Sequence, residues 1–436
     1  MKIHRYPSPA AEARLRRIVT RSIDFRKKDV DAVRRIVEDV RRNGDAALIE
    51  YVRRFDAPRL PVDRLRVSAE EIDAAARRVD RGFTRALNRA CRQIEAFHRQ
   101  QAPRSWVDTP RSGTFLGQLV RPVDAAGIYV PGGRGGSTPL VSSLLMGAIP
   151  ARIAGVPRVC MVTPPTADGG VDPHLLAAAR KVGVDAVYRV GSAWAVAALA
   201  YGTETIPKVE VIVGPGNLYV TLAKKRVAGV VGIDMIAGPS EILVVADATA
   251  APAAAAADLL SQAEHDPLAS AVLVTDDEET ARGVSRCLEE QLAGLPRREI
   301  AEASLRDYGA ILLVPDMDTA LELVNRIAPE HLELLVADPF AHLADIRNAG
   351  AVFLGPWTPE PVGDYIAGPN HVLPTAGTAR FSSALSVDHF TKRTSVIHYD
   401  RRAFAREAPD ILRLAAVEGL DAHASAVRIR MKKRND

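Results

Sequence analysis

The chain has 436 residues, of which 47% are apolar, and it carries 57 basic and 53 acidic side chains. This length exceeds what one hydrophobic core supports, so we expect two or more domains. The near-balance of charge removes the usual reason to expect a nucleic-acid partner or a membrane surface.

The three cysteines, Cys91, Cys160 and Cys287, form no CxxC pair, which predicts free thiols in a reducing compartment. No apolar signal-peptide segment follows Met1, and no run of about 18 apolar residues occurs that could span a bilayer. These features predict a cytoplasmic protein without a membrane span.

Residues 1–124 are predicted to form a mainly helical region. Apolar residues recur at three-to-four spacing over residues 30–55 and 69–104. Ser68 and Glu71 fit a capping box at the start of the second of these helices. The region carries no motif with recognisable chemistry, and we expect it to pack on the second of the two lobes that follow.

Residues 125–238 alternate between short apolar strands and helices, which predicts a parallel sheet with helices on its faces. Tyr129 and Asn217 fall at the carboxyl ends of strands, where ligands of open parallel sheets lie. The predicted strands cover residues 127–130, 159–162, 186–190 and 209–213, and predicted helices cover 173–182 and 193–201.

Two glycine-rich turns, residues 131–136 and 214–217, follow strands of this lobe. Backbone N–H groups in such turns can bind phosphates, which predicts a nucleotide-binding lobe. Neither turn matches the G-x-G-x-x-G pattern, because Thr138 and Tyr219 stand where the third glycine would be. Two tight turns without a ligand remain the alternative explanation.

A second α/β series is predicted over residues 239–387, and two such units in tandem suggest two lobes with a cleft between them. Residues 388–436 look too short to fold alone, so we expect this tail to pack on another body such as a second subunit. The predicted strands of the second series cover residues 241–246, 271–275, 310–314, 332–336 and 351–354.

Gln262 and His265 lie at the end of an alanine-rich helix that Pro267 stops. Three residues apart, they would share one helical face, where an amide oxygen and an imidazole nitrogen could hold one metal ion. An ordinary polar helix end is the alternative. If the strands are parallel, five candidates lie at the amino edge of the second sheet, facing the carboxyl edge of the first: Ser240, Gln262, His265, Glu330 and His331.

Glu330 and His331 place a carboxylate beside an imidazole, and an imidazole suits general-base chemistry near neutral pH. Further candidates are polar residues in loops or at helix ends, which alone fit a solvated position equally well: Asp364, His371, Glu418 and His423. Gln262, His265, Asp364 and His423 would form a mixed nitrogen and oxygen ligand set, compatible with zinc and with other transition metals.

Eight stretches resemble the histidinol dehydrogenase family and occur in the family's order over most of the chain after about residue 120. They are GIYVPGG (127–133), ALAYGTETIPKV (198–209), VGPGNLYV (213–220), GIDMIAGPSEIL (232–243), DLLSQAEHDP (258–267), APEHLEL (328–334), GDYIAGPNHVLPT (363–375) and EGLDAH (418–423).

The resemblance implies a zinc-dependent homodimer that oxidises L-histidinol to L-histidine through L-histidinal, reducing two NAD, in the last steps of histidine biosynthesis. The implied fold is α/β, with two Rossmann-like parallel-sheet lobes in tandem, a helical N-terminal region and a short C-terminal dimerisation tail that reaches the partner's site. In this class His331 would be the general base and Glu330 the activator of water.

The resemblance also implies the binding residues. The zinc ligands would be Gln262, His265, Asp364 and His423, and these four would contact substrate together with Ser240, His331, His371 and Glu418. The cofactor would contact Tyr129 and Asn217. Residues 192–194 read Ser-Ala-Trp where family members have Gly-Ala-Gln, so Trp194 stands at a cofactor position, and the loop at 134–138 is longer than usual for the family.

Two rival functions stay open from the sequence. The altered residues favour a related NAD-dependent zinc dehydrogenase of another small polar alcohol, such as a sulfonated diol, whereas His371 and Glu418 favour an amino-imidazole substrate. A zinc hydrolase is the rival from another class, but the H-E-x-x-H signature is absent and the two glycine turns would be unexplained.

Overall fold

The computed structural model describes residues 1–21, 25–132 and 138–432, and over these ranges the backbone forms three sheets. The strands are β1 (Ile3–Arg5), β2 (Trp106–Asp108), β3 (Thr114–Pro122), β4 (Ala125–Tyr129), β5 (Arg158–Thr163), β6 (Ala186–Arg189), β7 (Val211–Val213), β8 (Gly232–Ile233), β9 (Glu241–Ala246), β10 (Ser270–Thr275), β11 (Ala310–Leu313), β12 (His331–Leu335), β13 (Ala351–Leu354) and β14 (Thr391–Tyr399).

Most helices cover the faces of the two larger sheets, and the last two follow the final strand of the three-stranded sheet along the chain. They are α1 (Pro9–Val19), α2 (Lys27–Phe55), α3 (Ala69–Arg78), α4 (Arg81–Arg99), α5 (Val141–Ala154), α6 (Pro173–Val182), α7 (Ser192–Tyr201), α8 (Leu218–Val227), α9 (Pro252–Ala263), α10 (Glu278–Leu292), α11 (Arg298–Tyr308), α12 (Met317–Ile327), α13 (Glu360–Val362), α14 (Arg401–Val417) and α15 (Asp421–Met431).

The first lobe is built on a five-stranded parallel sheet in the order β6-β5-β4-β7-β8. The chain runs outward from β4 to β6 and then returns to place β7 on the other side of β4. This reversal of strand order leaves a crevice between the carboxyl ends of β4 and β7. Ligands of such sheets usually bind in a crevice of this kind. Ile128 packs on the side of α5 and α6, while Tyr129 packs on the side of α7 and α8.

The second lobe is built on a six-stranded parallel sheet in the order β1-β11-β10-β9-β12-β13. All six residues of β9 are buried, which is typical of a parallel strand covered on both faces. β9 and β12 are direct neighbours, and His331 pairs with Ile242 at their amino ends. The two parallel sheets confirm the mixed α/β fold class.

The N-terminal helices differ from expectation in where they pack. We predicted that residues 1–124 would cover the second lobe, but α2 packs on α7, α3 on α6 and α4 on α5, all in the first lobe. β1 and α1 join the second lobe, where β1 pairs with β11, and α4 also contacts the segment Gly363–Ala367 of that lobe. The reason is that α7 is apolar all round, so its outer face needs a cover, and the apolar side of α2 supplies it.

The last segment does not fold as an isolated tail. β14 pairs antiparallel with all nine residues of β3, and β2 extends this sheet. These strands, with α14 and α15, form a second compact unit from Ala102–Pro122 and the described part of Thr391–Asp436, whereas both lobes belong to the first unit. Among the described helices, none is long and apolar enough to cross a membrane.

Candidate active site

The amino edge of the second sheet brings together residues that are far apart in the chain. α9 begins with Pro252 in its first turn and ends at Ala263, so Gln262 lies in its last turn. The Gln262 amide nitrogen lies 3.3 Å from Nδ1 of His331, at the start of β12. Gln262, Glu330 and His331 therefore meet at this edge, as expected from their places before and after the strands.

His331 is buried and held in one tautomer. Its Nδ1–H donates to the Glu241 carbonyl over 2.9 Å, which leaves the lone pair on Nε2, 3.9 Å from a Glu360 carboxyl oxygen. Burial lowers the pKa of His331 to about 4, against the raising effect of that hydrogen bond. The imidazole is therefore neutral at pH 7, the form that a general base requires.

Glu330 and Glu241 are tied to each other across neighbouring strands. Glu330 Oε2 accepts the Glu241 N–H at 2.9 Å, and a Glu241 carboxyl oxygen accepts the Glu330 N–H at 3.3 Å. Arg21, also buried, forms an ion pair with Glu241 at 2.8 Å. Burial raises the pKa of Glu330 well above its usual value, and the neighbouring Glu241 charge adds to this.

Glu360 and Asp364 lie four residues apart in a short helical segment, so their carboxyl groups share one face. Burial, together with the neighbouring Asp364 charge, raises the pKa of Glu360 to about 8. Burial would raise the pKa of Asp364 as well, but the contacts of Asp364 with His371 lower that pKa. Of the two carboxyl groups, Glu360 is therefore the one that holds a proton. His371 Nδ1 lies 3.5 Å from the Asp364 carboxylate.

His265 lies just beyond α9 rather than within it, because Glu264 caps the helix and the His265 N–H donates to the Gln262 carbonyl. Burial lowers the pKa of His265, while the charge of Asp364 opposes this shift. Ser240 precedes β9 and is partly buried, and its carbonyl accepts the Ser270 N–H.

The donor chemistry of this cluster fits a divalent metal such as zinc. Within the described ranges the buried Gln262 Oε1 has no hydrogen-bond partner, and His371 Nδ1 has no hydrogen bond beyond its 3.5 Å ion-pair contact with Asp364. His265 favours its neutral form and Asp364 its charged form, as ligands must. Ligand-type atoms of His331, Glu360 and Asp364 lie within 4.8 Å of one another, which shows how closely donors are gathered.

Two predicted residues lie in the second unit. Glu418 caps the end of α14, His423 lies in the first turn of α15, and both are exposed. The cluster in the first unit is built without them.

The expected cofactor residues differ in accessibility. Tyr129 is buried and its hydroxyl accepts the Ser192 N–H at 3.0 Å. Trp194 is only 5% exposed, and its indole stacks on Tyr51 and Phe55 of α2. Trp194 therefore packs in the α2–α7 core, and its contact with the cofactor stays a prediction.

Asn217 is exposed, and its Oδ1 caps α8 by accepting the N–H groups of Tyr219 and Val220. The predicted glycine-rich loop at 131–136 lies mostly outside the described residues.

Sequence reasoning missed Glu241, Arg21 and Glu360. For Glu360 a signal existed, because a carboxylate four residues before Asp364 falls on the same face of a helical turn. Glu241 reads as an ordinary first residue of a strand, and Arg21 reads as one of many N-terminal arginines, so neither carries a local signal.

Comparison with known proteins gives one consistent answer. The family model described as histidinol dehydrogenase matches residues 20–431. The histidinol dehydrogenase of Desulfotalea psychrophila is 56% identical over 401 residues, covering 92% of each chain. That of Heliobacterium mobile is 53% identical and covers 98% of this chain and 99% of its own. The crystal structure of histidinol dehydrogenase from Elizabethkingia anophelis superposes with a TM-score of 0.93 at 36% identity, covering 100% of this chain and 99% of that one.

Proposed function

The chain belongs to the histidinol dehydrogenase family, NAD-dependent oxidoreductases that act on the CH–OH group of histidinol, and we propose that it performs both oxidations of that reaction at the cluster around His331. The observation that carries this proposal is the tautomer of His331. Its Nδ1–H is donated to the Glu241 carbonyl, so a neutral Nε2 stands at the amino edge with its lone pair available.

In the first oxidation, Nε2 of His331 would accept the hydroxyl proton of the alcohol, and NAD, when bound, would supply the acceptor for the hydride of the carbon that carries this hydroxyl group. An aldehyde remains, to which water must add before a second hydride can leave. Glu330 activates this water, because one of its oxygens is fixed by the Glu241 N–H and the other is left for a water molecule. Its raised pKa makes it a stronger base than an exposed glutamate once it is ionised.

A zinc ion would be held by Gln262, His265 and Asp364, together with His423 of the partner subunit. The unpartnered Gln262 Oε1 and the ionised Asp364 support this set. When bound, zinc would fix the imidazole and amine of the substrate. Ser240 and His371, on the same edge, would complete the substrate contacts together with Glu418 of the partner subunit.

The proposed partner is a second copy of the chain. Glu418 and His423 are exposed in the second unit, and two large apolar residues close to Glu418, Leu414 and Val417, are 64% and 73% exposed. Apolar side chains so exposed beside two polar candidates are typical of a surface that another protein covers. A shared site would explain why these two residues are placed outside the first unit.

NAD would bind in the crevice between β4 and β7, with Asn217 at its edge. Tyr129 would support this site by accepting the Ser192 N–H at the start of α7. Trp194 would support it by packing α7 against α2. A cytoplasmic location fits the buried free thiols of Cys91 and Cys160.

The test is the amount of NADH formed from a limiting amount of histidinol in the presence of zinc and NAD. We expect two NADH for each histidinol and almost none from a sulfonated diol. His331→Asn should lower the rate by at least about a hundredfold, because the proton acceptor is lost. Turnover of the sulfonated diol with none of histidinol would replace the proposed substrate.

A further inference from the structure

A buried ion pair holds the turn that follows β7. The ammonium group of Lys224, in α8, contacts the carboxylate of Asp234, and the two side chains are 4% and 0% exposed. The Lys224 Nζ donates to the Gly214 carbonyl over 3.0 Å. The other Asp234 oxygen accepts the Gly214 N–H at 2.8 Å. One ion pair therefore fixes both the N–H and the C=O of a single glycine.

Gly214 stands at the crevice where the strand order reverses. Its φ is +117°, and a Cβ there would lie 2.1 Å from the Tyr129 carbonyl oxygen at the end of β4. Only glycine fits so close an approach in this conformation. A glycine also has the greatest backbone freedom to lose, so the turn needs external contacts to stay in one conformation. The Lys224–Asp234 pair provides them.

The fixed turn leads directly into α8. Asn217 Oδ1 accepts the N–H groups of Tyr219 and Val220, which orients the start of this helix. The N–H groups of Gly216, Asn217 and Leu218 donate to no residue within the ranges that the structure describes. These three donors are thus left for a ligand at the carboxyl edge of the first sheet.

We infer that Lys224 and Asp234 are positioning residues of the cofactor site, which act by holding Gly214 so that the 214–218 turn presents its N–H groups to the pyrophosphate of the dinucleotide. This inference rests on the proposed function, because it takes the crevice between β4 and β7 as the NAD site. The ammonium is not itself a phosphate ligand, since it is buried, paired with Asp234 and bonded to the Gly214 carbonyl.

A buried ion pair can also serve stability alone, and the two roles differ in what a change would affect. Loss of a positioning contact should weaken binding of the dinucleotide and leave the binding of histidinol and metal at the second sheet unchanged. General destabilisation should change neither affinity while the protein remains folded.

The experiment compares Asp234→Asn with Glu71→Gln. Glu71 forms an ion pair with Arg189 in the same lobe but does not contact Gly214. Glu71→Gln therefore removes a paired carboxylate charge, as Asp234→Asn does, but away from the glycine turn. An asparagine has one acceptor oxygen where aspartate has two, so either the Gly214 or the Met235 N–H loses its partner. We expect the Kd for NADH and the KM for NAD to rise by about tenfold in Asp234→Asn, as for one lost charge-assisted hydrogen bond. The KM for histidinol and the zinc content should stay unchanged, and Glu71→Gln should bind NADH normally.

Unchanged NADH affinity in folded Asp234→Asn would overturn the inference, and so would an equal loss in Glu71→Gln. If Asp234→Asn does not fold, the double variant Lys224→Gln with Asp234→Asn leaves no unpaired buried charge and is judged by the same two criteria. Failure of the wild-type protein to bind NADH would instead remove the proposed cofactor, which separates the two conclusions.

Discussion

Glu330 and Glu241 each accept the backbone N–H of the other across β12 and β9, so the residue before His331 is fixed by the same strand that fixes the imidazole. We predict that Glu330→Gln keeps the fold, because the amide oxygen can still accept the Glu241 N–H. It should slow oxidation of histidinal more than oxidation of histidinol, since only the aldehyde step needs activated water. Rates measured with each substrate separately would check this, and equal losses on both would remove the separate role of Glu330.

The metal ligands can be tested by metal analysis. We predict that His265→Ala and Asp364→Ala each lose bound zinc and activity while their circular dichroism stays unchanged, because each removes one donor from the cluster. A second-lobe histidine away from the cluster, His342, provides the matched control and should keep zinc as His342→Ala. Stoichiometric zinc in purified His265→Ala would show that the ligand assignment is wrong.

Trp194 should matter for stability more than for cofactor affinity. Its indole stacks on Tyr51 and Phe55 and is 5% exposed, so Trp194→Gln would leave a poorly filled space between α2 and α7. We expect the free energy of unfolding to fall by about 3 kcal/mol. Phe55→Gln, at a side chain that is 56% exposed, should cost less. A changed KM for NAD with unchanged stability would indicate a direct cofactor contact instead.

Asp56 should make stability depend on pH. Burial raises the pKa of Asp56 to about 7, and its Oδ2 has no hydrogen-bond partner among the described residues. The pKa of Asp56 is higher in the folded than in the unfolded chain. The protein is therefore most stable, with respect to this group, at about pH 4, and it loses this stability progressively as the pH rises from about 4 through about 7.

We predict that Asp56→Asn is more stable than the wild type at pH 8, on the order of 2 kcal/mol after allowance for its partial exposure, and nearly equal at about pH 4, below which neither state ionises the group. Urea unfolding at both pH values would measure this. The exposed Asp63→Asn should show no such difference. An equal effect of Asp56→Asn at both pH values would contradict the shifted pKa.

Mixed dimers test whether sites are shared. One inactive protein carries His265→Ala with Glu330→Gln, and the other carries only His423→Ala. If the C-terminal residues act across the dimer, refolding the two together gives one intact site in each mixed dimer, and NADH formation should recover. Mixed dimers that form without recovering activity would show that His423 acts within its own chain.

The sequence by itself determined the α/β class and most strand positions. Residues 241–246 and 351–354 were predicted with the bounds of β9 and β13, because continuous apolar runs between turn residues are typical of buried parallel strands. It also placed Gln262, Glu330 and His331 at one sheet edge, since that follows from whether a residue precedes or follows a strand. Their chemistry followed from a resemblance carried by joined motifs rather than from any single residue.

Only the tertiary structure decided which surfaces meet. Periodicity shows that a face of α2 is apolar, but not that α7 will cover it, so the N-terminal helices were assigned to the wrong lobe. Trp194 was placed at the cofactor from the family resemblance, and only the structure shows that its indole packs between α2 and α7. Glu241 and Glu360 reach His331 from other elements, and the pKa of each group depends on burial and charges that distant segments supply. A sequence pattern shows whether a residue favours a buried or an exposed environment. Only tertiary packing determines which neighbours provide that environment.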